Sequence, residues 1–185
     1  MLRFFALLTA LVLAFSLSSC IKTDTDIDTY ADDVKSYMAG SFMPDLAEIG
    51  DYKKVDYFSR KDTTIFPDYS LQLVAEYGEE EFALEKERLA DAYTYVDGAQ
   101  TVLGPVDVLY TLPVEAFSAA GFDFKVTVFD DTVYPKNFGM VGISEETCRI
   151  AYLWVYSPDL DYICEADDDK TEKMLEFIEY NFSLE

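Results

Sequence analysis

Across residues 148–156 apolar side chains occupy both parities of an extended chain. Ile150, Tyr152, Trp154 and Tyr156 fall on one face, and Ala151, Leu153 and Val155 fall on the other. Two apolar faces predict a strand inside a sheet, covered by helices on one side. Residues 122–129 alternate more simply, with Phe122, Phe124, Val126 and Val128 sharing a face. Further strands are expected at 53–59, where Val55 and Tyr57 oppose Asp56 and Phe58, at 69–77 and at 138–143. A short strand is expected within 102–109, disturbed by Gly104-Pro105, and residues 160–164 can return beside 148–156.

Helical periodicity appears in three places. Tyr30, Val34, Tyr37 and Met38 recur at helical spacing behind Asp28 or Thr29 as cap, and Gly40 and Pro44 close the segment. Residues 79–95 are rich in Glu, Ala, Leu and Lys, with Phe82, Lys86, Leu89, Tyr93 and Val96 as the expected buried stripe. A last helix follows Asp167–Asp169, with Met174, Leu175, Ile178 and Phe182 packed inward. Pro113 predicts a brief helix through Ala120, and residues 60–64 read as a polar connection. Strands joined by short polar loops, with helices before, between and after them, predict an α+β fold: a mostly antiparallel sheet with helices packed on one face.

The N-terminus has a different pattern. Arg3 precedes a nearly continuous apolar run at 4–15, interrupted by Thr9. A dozen apolar residues are too few to span a bilayer, and the arrangement is that of a secretory signal. The run ends in Leu17-Ser18-Ser19-Cys20, which resembles the lipobox of bacterial lipoproteins. That resemblance implies cleavage before Cys20 and acylation of its sulfur. Two acyl chains on one cysteine hold a protein far more firmly than a single myristoyl chain does. The expected organisation is a signal peptide at 1–19, a lipidated tether at 20–28 and a single extracytoplasmic domain at 29–185. The expected location is the extracytoplasmic face of the cell membrane.

Composition narrows the function classes. The formal charge is −22, from 14 Lys and Arg against 36 Asp and Glu. Such a field disfavours nucleic acid and bare anionic lipid, and favours cations, basic peptides or basic protein faces. The chain has no histidine, which removes His-based triads and His-ligated zinc. Of the cysteines other than Cys20, Cys148 and Cys164 have two readings. A tight turn at 157–160 would set Cys164 opposite Leu153 and leave two free thiols, whereas a longer or bulged loop would allow a disulfide.

Acidic clusters are the remaining candidates for chemistry. Asp24, Asp26 and Asp28 have the opening spacing of a calcium loop, but the central glycine is absent and the twelfth position is Lys35. Asp130-Asp131 and Asp159-x-Asp161 lie in strand connections, and Asp167–Asp169 suits a helix N-terminus. No metal or cofactor site is assigned. Tyr152, Trp154 and Tyr156 are expected in the core, the other reading being an open aromatic platform. The leading expectation is a non-catalytic, membrane-anchored binding module for a peptide, an envelope protein or a saccharide. The alternatives are an accessory subunit of an envelope complex, marked by a broad apolar patch, and a carboxylate-based hydrolase, marked by two close acids in a cleft.

Overall fold

The computed structural model describes residues 21–64, 66–96, 101–103, 109–111, 116–132, 136–158 and 170–184. Cys20, Cys164 and the expected segments at 160–164 and 167–169 lie outside the described residues.

The chain forms an α+β fold around an eight-stranded sheet in which every described pairing is antiparallel. Its strands are β1 (Ile21–Asp24), β2 (Lys54–Asp62), β3 (Asp68–Glu76), β4 (Thr94–Tyr95), β7 (Phe117–Ala119), β8 (Phe122–Val128), β9 (Asn137–Ser144) and β10 (Arg149–Tyr156). A separate hairpin is made by β5 (Thr101–Leu103) and β6 (Leu109–Thr111). The spatial order is β1-β2-β3-β10-β9-β8-β4, with β7 also paired to β8. The helices are α1 (Tyr30–Ser36), preceded by the 3-10 turn Ile27–Thr29, α2 (Glu79–Ala92) and α3 (Lys170–Asn181).

The double apolar parity of β10 is matched by its position between β3 and β9. Ile150, Tyr152 and Trp154 join a core with Tyr30, Phe82 and Leu89, so α1 and α2 cover that face. Ala151, Leu153 and Val155 join Met174, Phe177, Ile178 and Phe182, so α3 covers the other. The expected single helical layer is therefore two layers. A strand apolar on both faces needs cover on both, and the stripe of α3 supplies the second.

Other expectations shift for tertiary reasons. β2 runs through Asp62, and the polar connection expected at 60–64 begins only after it. Arg60 is buried there, with its guanidinium 4.4 Å from the Tyr180 ring centroid and 2.9 Å from the Tyr180 hydroxyl. The helix expected at 113–120 is a strand over Phe117–Ala119, in register with β8. Phe117 and Ala119 are buried while Ser118 is exposed, a period of two. In α2 the buried stripe is Phe82, Glu85 and Leu89, and Lys86 is only half-buried above the Phe82 ring. In α3 Phe177 is buried and Leu175 is exposed.

Residues 21–24, read from the sequence as part of a short tether, form β1. They pair with 59–62, Ile21 opposite Asp62 and Asp24 opposite Ser59. Pairing satisfies backbone groups that the edge of β2 would otherwise present to solvent.

Candidate functional site

The pairing of β1 stops at Ser59, halfway along β2. Beyond Asp24 the chain turns away, because consecutive aspartates cap it locally. Asp24 Oδ1 accepts the Asp26 amide at 2.9 Å, and Asp26 Oδ1 accepts the Asp28 amide at 3.1 Å. These carboxylates therefore terminate β1 and start the 3-10 turn at Ile27. Among the described residues, no strand pairs with the outer edge of residues 54–58.

A cleft of about 640 Å³ lies along that edge. All five residues 54–58 line it, from both faces of β2, together with Thr25 and Ile27 at one end and Gln72, Val74 and Arg149 beyond. Its apolar part is made by half-buried Val55 and Phe58 and by buried Val74. Lys54 and Asp56 form an exposed ion pair at 2.7 Å on the lip.

The walls are held from both layers. On one side Tyr57 and Ser59 hydroxyls donate to Asp33 Oδ2 of α1, at 2.7 and 3.0 Å. On the other, Gln72 forms a two-point amide ladder with Ser183. Its Nε2 donates to the Ser183 carbonyl at 3.0 Å, and its Oε1 accepts the Ser183 amide at 2.9 Å. The Ser70 hydroxyl donates to the Asn181 carbonyl at 2.8 Å. The tail after α3 is thus docked along β3, and Ser183 joins the lining of the cleft.

A second polar centre lies beneath α2. Glu85 is buried, and its carboxylate accepts from Arg88 Nε at 2.9 and 2.8 Å, from Arg88 Nη2 at 2.6 Å and from the Tyr152 hydroxyl at 2.9 Å. Burial, then neighbouring phenols and Glu85, push the Tyr152 hydroxyl well above its ordinary pKa. Hydrogen bonding to Glu85 raises Arg88. An acidic hollow beside Gly50, Asp51 and Glu81 reaches this pair. Both oxygens of Glu85 are committed to fixed donors, which makes the cluster a clasp between α2 and β10.

The other expected residues find their places. Tyr152 and Trp154 are core, and Tyr156 is half-buried at the margin. Cys148 is a half-buried free thiol in the turn before β10. The described residues hold no cluster of three or more His, Cys, Asp or Glu able to bind a metal ion. No helix among them is long and apolar enough to cross a membrane. The open edge was hidden from sequence reading, since nothing local to 54–58 says where β1 ends. Glu85 did leave a signal: Phe82, Glu85 and Leu89 share one helix face, and Arg88 follows at i+3.

Comparison of the chain with protein-family models, curated proteins and solved structures finds no match.

Proposed function

We propose that the protein is a lipid-anchored, extracytoplasmic binding module that accepts an extended polypeptide segment along the open edge of β2. The observation that carries this reading is the unpaired edge of residues 54–58, flanked by a cleft of about 640 Å³. An incoming strand gains main-chain hydrogen bonds from such an edge, and alternate side chains enter the pockets beside it. Here one parity meets Val74 and Phe58, and the other meets Ile27 and Val55. The lip charges of Lys54 and Asp56 set register without demanding a ligand of one sign. Cys20 supplies the anchor in this reading, through the lipobox resemblance of residues 17–20.

The reading is tested by placing a photoreactive residue at exposed Asp56 and, as control, at exposed Glu87 on α2. Crosslinking on intact cells is expected to join one discrete segment of a partner protein to position 56 and not to position 87. Equal capture at both positions, or none at 56, contradicts it. A Phe58→Lys variant should lose the position-56 product while keeping its circular dichroism spectrum.

A further inference from the structure

Exposed apolar side chains collect at one end of the sheet. Ile21 is 53% exposed, Met38 77% and Phe66 49%. Ile21 stands opposite Asp62, at the mouth of the β2–β3 connection that carries Phe66. Tyr37 stacks on Tyr69 with ring centroids 4.5 Å apart, which brings the end of α1, and Met38 after it, to the same place. Tyr69 continues the stack to Tyr156 at 6.1 Å.

Two lysines stand beside the tyrosine layer. Lys22 and Lys61 are cross-strand partners. The Lys61 ammonium lies 5.4 Å from the Tyr69 ring centroid and 5.9 Å from that of Tyr37. Two of the acids at this end, Asp62 and Asp68, have internal partners. Asp62 accepts from the Thr64 amide and hydroxyl and pairs with Arg60 at 3.4 Å, and Asp68 accepts from Ser157. Apolar tips, a tyrosine layer and lysines together form the composition that settles at a membrane interface.

The backbone holds Met38 outward at a conformational cost. Helix α1 ends with the Ala39 amide donating to the Val34 carbonyl at 2.9 Å and the Met38 amide to the Lys35 carbonyl at 3.4 Å. That closure requires a left-handed residue, and Met38 takes it at φ 61°. Glycine is the usual occupant, so an exposed methionine here asks for a reason outside the fold.

The chain itself names the occupant. β1 begins at Ile21, one residue after Cys20, so no slack separates a lipid on that cysteine from this end of the sheet. We infer that the end carrying Ile21, Met38 and Phe66 docks on the phospholipid bilayer, with these side chains at the headgroup–acyl boundary and Lys22 and Lys61 on phosphates. This rests on the lipoprotein reading of Cys20. The orientation turns the membrane-proximal half of the β2 edge, closed by β1, toward the lipid and the open half at 54–58 away from it.

The test uses the full mature protein purified from membranes and reconstituted in phosphatidylcholine–phosphatidylethanolamine vesicles. The vesicles contain a phospholipid with a diazirine in its acyl chain. After illumination and digestion, mass spectrometry locates the adducts and weighs the N-terminal peptide. The expected result is a diacylated Cys20, with adducts on the peptides holding Met38 and Phe66 several-fold above those holding Leu84 and Leu175. Met38→Glu/Phe66→Glu should abolish the adducts on those two peptides and leave the acylation unchanged. Adducts confined to the Cys20 peptide, or equal on Leu84 and Leu175, overturn the docked orientation while the anchor stands. An unacylated N-terminus overturns both.

Discussion

A carboxylate as deeply buried as that of Glu85 is costly unless its partners stay in place. Arg88 and Tyr152 are those partners, and the guanidinium still touches solvent. Arg88→Met should therefore cost about 3 kcal/mol, the lower end of the range for stranding a buried charge. Adding Glu85→Gln to Arg88→Met should recover part of that loss. Urea unfolding of the single and double variants checks both. Met38 gives a change of opposite sign. Relieving its left-handed backbone by Met38→Gly should stabilise the domain by about 1 kcal/mol, read from the same unfolding curves. What the sequence showed at this scale was parity, and what it hid was partnership. Phe82, Glu85 and Leu89 could be placed on one face, but only the folded β10 shows that Tyr152 waits there. For Cys20 the expectation of acylation rests on the lipobox resemblance of Leu17-Ser18-Ser19, and the residue lies outside the described residues.

Elements whose pattern repeats locally were readable. The alternation of β8, β9 and β10 and the helical spacing of α2 and α3 located them to within a few residues. Elements defined by distant partners were not. β2 passes through Arg60-Lys61-Asp62 because Tyr180 and Asn181, far along the chain, receive Arg60. β1 exists because β2 offers an edge, and a four-residue polar segment carries no strand signal of its own. Glycines in β9 show how closely elements can be matched. Gly142 faces Phe124 across the β8–β9 pair, and a Cβ at 142 would overlap that buried ring. Gly142→Ala should cost about 2 kcal/mol as an overpacked core substitution, seen as a lower midpoint of thermal unfolding. Gly139 is covered in the same way by the Phe42 ring, at 2.5 Å from a Cβ position. Isolated glycines within a strand pattern do not say which ring lies above them.

At the scale of the molecule, buried tyrosines set the alkaline limit. Burial is the leading cause that raises the phenols of Tyr30, Tyr57, Tyr77, Tyr93 and Tyr152, and it pushes Tyr37 up to about 12. Above pH ~10 an unfolded chain releases tyrosine protons that the folded chain retains, so stability falls as pH rises. Tyrosinate absorbance should appear in two phases. The later phase, from the buried set, should coincide with loss of the near-ultraviolet circular dichroism. A single smooth titration with intact dichroism would contradict this.

Whole-molecule function turns on whether the open half of the β2 edge takes a strand. The direct measurement is hydrogen exchange on the protein with and without a linear peptide selected on it by phage display. Strand addition should slow exchange of backbone amides within residues 54–58 and leave α2 unchanged. Peptides that bind while those amides exchange freely, or that protect α2 instead, would contradict a strand-accepting edge.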